Sequence, residues 1–150
     1  MKNRNLEHKD DWKTPDYILE QYIIPIFENY KGKRYFDPCP LNHDLRVWDG
    51  LFINWEDQNF INPPYSRMLK EAFIRKAYKE SVKGKLCVML LPVSTSTKIF
   101  HEVIYPFAEI RFIKRRIKFE GINTKGELVS NKCGMHDSMI VIFRPKKELI

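Results

Sequence analysis

The chain lacks any apolar run able to cross a bilayer: the longest, Leu86 to Pro92, falls far short of the roughly 20 residues that a helical span needs. It also lacks a secretory opening, because Met1 to Asp11 is polar and charged, so the expected setting is cytoplasmic, with no membrane partner. Cysteine is sparse. Cys39, Cys87 and Cys133 are odd in number and widely spaced, which excludes a disulfide framework and a four-ligand zinc site and leaves reduced thiols as the default. Negative charge is in deficit. With 19 Asp and Glu against 26 Lys and Arg, the net charge is +7, which favours a polyanionic partner held through phosphate contacts and counterion release. Internal repeats, low-complexity tracts and linkers are absent too. One domain over residues 12–150 is therefore expected, preceded by a flexible arm over residues 1–11 without apolar periodicity.

What is present fits a globular domain: hydrophobic residues make up 43% of the chain and aromatics 13%. Thr14-Pro15-Asp16 reads as a helix start, with Thr14 as N-cap and Pro15 in the first position. Apolar residues at Ile18, Leu19, Tyr22, Ile23, Ile26 and Phe27 carry that helix to about Tyr30, with Pro25 expected to kink or divide it. Arg34 to Asp37 and Gln58 to Asn62 read as short strands, each broken by a following proline. Met68 to Val82 predicts an amphipathic helix, Lys85 to Leu91 a buried strand, Thr95 to Tyr105 a helix and Glu109 to Ile113 a strand. Arg116 to Phe119 and Ser138 to Phe143 complete the set as two strands flanking a long polar segment, of which Gly121 to Met135 is expected to be mobile without ligand. The β-α-β-α rhythm predicts an α/β fold: a mostly parallel sheet, helices on both faces, and a C-terminal antiparallel strand pair.

Asn62-Pro63-Pro64-Tyr65 follows a strand and precedes a helix, the strand edge at which open α/β sheets place ligands. The side-chain oxygen of Asn62 and the carbonyl of Pro63 can each accept one hydrogen of a planar amino group, leaving its nitrogen lone pair directed at an electrophile. Two consecutive prolines fix the backbone and supply no N–H to compete for acceptors. Tyr65 offers a face on which a base taken out of a duplex can stack. The structural alternative is a rigid Pro-Pro turn with Tyr65 packed as core.

With these motifs the chain resembles the phage and prophage DNA N-6-adenine methyltransferases, the phage Dam-type family, from about Trp12 to Phe143. The resemblance rests on Trp12-Lys13-Thr14-Pro15, Phe36-Asp37-Pro38-Cys39, Asp49-Gly50-Leu51 with Trp55, Asn62-Pro63-Pro64-Tyr65-Ser66, and Leu90-Leu91-Pro92 followed by Thr95 and Thr97. Ile110 to Phe119 and Ile140 to Phe143 complete it. It implies an abridged Rossmann-like S-adenosylmethionine-dependent methyltransferase fold, encoded by a phage or prophage and working in the bacterial host's cytoplasm. The implied reaction moves a methyl group from S-adenosylmethionine to the exocyclic nitrogen of a flipped adenine in double-stranded DNA. S-adenosylhomocysteine is left behind, and no metal takes part. Asn62, Pro63, Pro64 and Tyr65 are then catalytic. Trp12, Thr14 and Pro15 together with Asp37, Pro38 and Cys39 would hold the amino-acid half of the cofactor, Asp49 to Leu51 would meet its adenosyl half, and Asn62 would also contact the cofactor. The Gly-rich cofactor loop of larger methyltransferases is missing, the short stretch from Asp37 to Asn62 abridges the sheet, and Arg115-Arg116 stands where the family carries Gly-Arg.

From the residues alone, Asp37 and Asp49 read equally as turn caps, and Cys39 reads as a small turn filler with no activating neighbour. Lys114, Arg115, Arg116 and Lys118 form the densest basic cluster; with Lys98, Tyr65 and Ser66 they are the expected DNA contacts, an exposed strand face being the alternative. Cys133 to His136 lacks the partner pair a metal site requires, and His101 is expected to cap or pack on its helix. Competing activities are methylation of cytosine N4, of RNA or of a glutamine amide, and a non-catalytic DNA-binding or anti-restriction module. A monomer or weak homo-oligomer is expected.

Overall fold

The structure, a computed structural model, describes residues 12–40, 49–122, 128–130 and 136–147. The expected arm over residues 1–11 and most of the 133–136 segment lie outside the described residues.

The first helix covers residues 16–28 and is not uniform. An α-turn, Asp16–Ile18, passes into a π-turn, Leu19–Ile23, and returns to α-helix over Ile24–Glu28. Pro25 is the cause. A proline has no N–H for the carbonyl four residues back, and its ring crowds that carbonyl; the widened turn, closed by the Ile24 N–H on the Leu19 carbonyl, accommodates both. The same device recurs in the third helix, where the π-turn Phe100–Ile104 is closed by the Tyr105 N–H just before Pro106. That helix starts at Lys98 rather than at Thr95. Thr97 makes the boundary, its hydroxyl oxygen accepting the Phe100 N–H at 3.3 Å, as an N-cap does.

Between these two, β1 (Gln58–Ile61), the central helix Arg67–Val82 and β2 (Leu86–Pro92) follow closely where the periodicity puts them. After the third helix come β3 (Glu109–Phe112), β4 (Glu120–Ile122), β5 (Leu128–Ser130) and β6 (Ser138–Phe143). The main sheet has the order β1-β2-β6-β3. Only β1 and β2 pair in parallel; β6 runs antiparallel to both its neighbours. The sheet is therefore mixed rather than mostly parallel, and its antiparallel strand is internal rather than part of a terminal pair. Arg116 to Phe119 forms no strand: Ile117 and Phe119 alternate inward, but the ladder partner expected for them, β6, is taken by β2 and β3. A separate hairpin of β4 and β5 occupies part of the segment expected to be mobile. The expected strand at Arg34 to Asp37 shrinks to one bridge, Phe36 with Asn59.

Helices do cover both faces. Alternate residues of β2 and β6 divide between two cores: Leu86, Val88, Leu90, Ile140 and Ile142 meet the first helix through Ile18, Ile23 and Phe27. Cys87, Met89, Leu91, Val141 and Phe143 meet the central and third helices through Phe73, Ile74, Phe100 and Val103. Burial on both sides is why β2 and β6 read as unbroken apolar runs.

A charged network ties the central helix to the segment before β1. Lys76 donates to the carbonyls of Leu51 and Ile53 at 3.1 and 2.8 Å, and Lys85 to the Trp55 carbonyl at 2.7 Å. Glu80, buried, accepts from Lys85 at 2.6 Å and lies near Lys83 and Lys76. Burial raises the pKa of the Glu80 carboxyl, but the hydrogen bond and charge of Lys85, with Lys83, outweigh it and hold the group below its ordinary value. A carboxyl so lowered stabilises the fold above its unfolded pKa, and the contribution is lost as pH falls through the folded one. Glu80→Gln is expected to cost about 2 kcal/mol at neutral pH and to flatten the decline of stability on acidification. Denaturant titrations between about pH 3 and 7 read both effects.

Candidate active site

Three side-chain amides are buried on β1 and at its tip. Gln58 donates to the carbonyls of Gly32 and Arg34, each at 2.8 Å, and accepts the Lys31 N–H at 3.1 Å. Asn59 donates to the Glu56 carbonyl at 2.7 Å and accepts the Glu56 N–H at 2.9 Å. Both are saturated. Asn62 is not: its Nδ2 donates to the Trp12 carbonyl at 2.8 Å and to Thr14 Oγ1 at 3.1 Å, while its buried Oδ1 has no partner among the described residues.

The orientation of that amide is forced. A backbone carbonyl only accepts, so Asn62 must turn its NH₂ toward Trp12, and Oδ1 is left facing the other way. A buried acceptor without a donor costs about 1–3 kcal/mol, a cost that a donor brought by a ligand or a water would remove. Thr14 is explained at the same time. It makes no side-chain cap on the first helix, whose N-cap is Pro15, because its hydroxyl is committed to Asn62. Beyond Asn62, Pro63 and Pro64 are buried. Among the described residues no donor reaches the Pro63 carbonyl.

Tyr65 is half-buried, its ring edge-on to Phe119 at 5.7 Å between centroids; burial pushes its phenol pKa well above the ordinary value. Sequence reading passed over Phe119 as a partner, since the two residues lie far apart in the chain. Ser66 is exposed.

Across the tip of β1, on the face of the central helix, two turns meet. Asp37 Oδ1 accepts the Cys39 N–H at 2.8 Å and Asp49 Oδ1 the Leu51 N–H at 3.0 Å, so both carboxylates close Asx-turns. Gly50 lets the turns touch. A Cβ there would run into the Pro38 carbonyl and lie 3.0 Å from the Phe73 ring, and the Gly50 carbonyl accepts the Trp55 indole N–H at 2.8 Å. Cys39 is buried in this core as a turn filler. Cys87 is equally inert, with burial pushing its thiol up to about 12. The expected cofactor residues thus form two groups: Trp12, Thr14 and Asn62 on one side, and the turns of Asp37 and Asp49 on the other.

The basic cluster is dispersed. Arg116 pairs with Asp137 at 3.2 Å, Lys98 lies 3.8 Å from Glu102, and Lys118 joins Lys13, Pro15 and Asp16 around a cavity of about 210 Å³ beside the Thr14-Pro15 corner. Arg115 is exposed and has φ +71°, the sole non-glycine residue of positive φ among the described residues. His101 bonds the Thr95 carbonyl at 2.6 Å and packs on Phe100. No group of three or more His, Cys, Asp or Glu able to hold a metal is found among the described residues, and none of their helices is long and apolar enough to cross a membrane.

The family model for DNA N-6-adenine-methyltransferase (Dam) matches residues 2–150. The chain belongs to that family. No curated protein and no solved structure matches it. Membership makes it a DNA methyltransferase by family, with DNA as the implied substrate. Arg115 stands where the backbone is left-handed, a conformation that glycine adopts without strain.

Two outcomes are expected. Arg115→Gly should raise stability by about 1 kcal/mol through relief of the left-handed strain, read as a higher melting temperature. Gly50→Ala should lower stability by about 2 kcal/mol or more, since a backbone carbonyl and a core ring must both give way.

Proposed function

We propose that this Dam-family protein is a site-specific adenine-N6 methyltransferase that uses S-adenosylmethionine and acts on an adenine turned out of double-stranded DNA. The observation that carries the reading is the partnerless Oδ1 of Asn62 at the tip of a strand, next to a proline carbonyl that is likewise without a donor among the described residues.

Adenine's exocyclic nitrogen is a weak nucleophile because its lone pair is delocalised into the ring. Asn62 Oδ1 and the Pro63 carbonyl each accept one amino hydrogen, which favours a pyramidal nitrogen and frees its lone pair for attack. The Trp12 hydrogen bond fixes the amide and the Pro-Pro backbone fixes the carbonyl, so both acceptors are oriented before substrate arrives and only what covers Oδ1 has to move aside. S-adenosylmethionine supplies, when bound, an electrophilic sulfonium methyl group. The nitrogen held by Asn62 and Pro63 would attack that carbon as its bond to sulfur breaks, the bond's electrons staying on sulfur, and one amino proton would pass to water. S-adenosylhomocysteine and N6-methyladenine result.

The residues present suit such a cofactor. The Thr14 hydroxyl, having accepted from Asn62, still carries a hydrogen that it can donate to the cofactor's carboxylate. By the family resemblance, the Asp37 turn would meet its ammonium and the Asp49 turn its adenosyl half. Tyr65, braced by Phe119, presents its remaining exposed surface to the extruded base.

Duplex DNA incubated with the protein and methyl-labelled S-adenosylmethionine should yield labelled N6-methyladenosine on nucleoside analysis; label in cytosine, or none, overturns the reading. Asn62→Ala should reduce turnover about a hundredfold or more. Calorimetric affinity for S-adenosylmethionine should fall far less than turnover, by about tenfold or less, a change worth at most about 1.4 kcal/mol, because the substitution also releases Trp12 and Thr14.

A further inference from the structure

A cavity of about 370 Å³ opens at the C-terminal end of β2, on the same sheet edge as Asn62 but between the central and third helices. Its floor is apolar, made by Ile74, Leu91, Ile99, Ile104 and Met139, and its rim carries Arg67, Lys70 and Lys98 with the hydroxyls of Ser94 and Ser96. Glu71 is the one carboxylate among the described residues that line it. Arg67 reaches Glu71 at 3.4 Å and Lys98 reaches Glu102 at 3.8 Å, while the Lys70 ammonium makes no ion pair or hydrogen bond among the described residues.

The placement of these cations runs against helix electrostatics. Helix N-termini favour acidic side chains and disfavour basic ones by a few tenths to about 1 kcal/mol. The first turn of the central helix nevertheless carries Arg67 and Lys70 and no acid, and Lys98 opens the third helix. Burial lowers the pKa of Lys70, Glu71 raises it and Arg67 lowers it further, for a net decrease. Positive charge gathered at two helix starts, over an apolar floor, is stabilised by an anion that also brings a flat, weakly polar body. The volume lies near the lower end of small-molecule sites, about 300 Å³, which suits one nucleotide.

We propose that this cavity seats a nucleotide of the DNA neighbouring the target adenine, its phosphate against Lys70, Arg67 and Lys98 and its base over the apolar floor. The assignment rests on the DNA-methyltransferase reading. It makes Lys70 a DNA-positioning residue without contact to the reacting atoms.

The test compares wild type with Lys70→Gln, Lys70→Arg and Lys79→Gln, the last removing a charge from the exposed far end of the same helix. Methylation kinetics and duplex-binding anisotropy across a salt series are measured, with deoxyadenosine monophosphate and inorganic phosphate as separate competitors. Lys70→Gln should raise KM for DNA about five- to tenfold with kcat nearly unchanged and reduce the salt slope by about one contact. Lys70→Arg and Lys79→Gln should behave as wild type, and neither free competitor should displace duplex at millimolar concentration. Equal KM and slope in wild type and Lys70→Gln overturn the assignment. So does a deoxyadenosine monophosphate site lost in Lys70→Gln while duplex binding is untouched. A wild-type protein that binds duplex with this Lys70 dependence yet transfers no methyl group overturns the catalytic reading and leaves the cavity assignment standing.

Discussion

The hydrogen bond from Asn62 to the Trp12 carbonyl constrains more of this protein than any other single contact. It pins the segment before the first helix to the tip of β1 and fixes which way the amide points. It also draws Thr14 away from the cap that the local sequence offers it. The two prolines that follow add no N–H groups, so the acceptors at the strand tip are not consumed by their own neighbourhood. A buried polar group normally finds a partner within the protein, as Gln58 and Asn59 do one turn of the strand earlier. Asn62 keeps half of its capacity in reserve.

Charge and close approach do the work of missing strands. Among the described residues between Phe36 and β1 there is one bridge, Phe36 with Asn59, and the part from Asp49 to Trp55 is held by the Trp55 indole within it and by Lys76 and Lys85 from outside. Carbonyls that a strand neighbour would have satisfied are satisfied by ammonium groups instead. The Asp37 and Asp49 turns are thereby docked against Phe73 of the central helix through a contact only glycine permits.

The positive surface is organised in two places rather than one. Lys118 comes round to Lys13 beside the Thr14-Pro15 corner, and Arg67, Lys70 and Lys98 gather on the opposite face at the end of β2. Asn62 lies on the edge between them.

Sequence alone determined the features governed by neighbours in the chain. The central helix, β2 and β6 are legible because burial repeats at 3.6 or on both faces of a strand, the Asn62 motif because its four residues are contiguous, and the caution over Pro25 because a proline disturbs only its own turn. Tertiary structure decided what depends on distant partners. Inward alternation at Ile117 and Phe119 reveals a buried face but not whether a ladder exists, and β6 had already paired with β2 and β3. Thr14 has a good local use as a cap and a better remote one at Asn62; only folding brings Asn62 near enough to compete. The strand order and the unused acceptor are likewise properties of hydrogen bonds spanning tens of residues, and the period of a sequence carries no record of which partner wins.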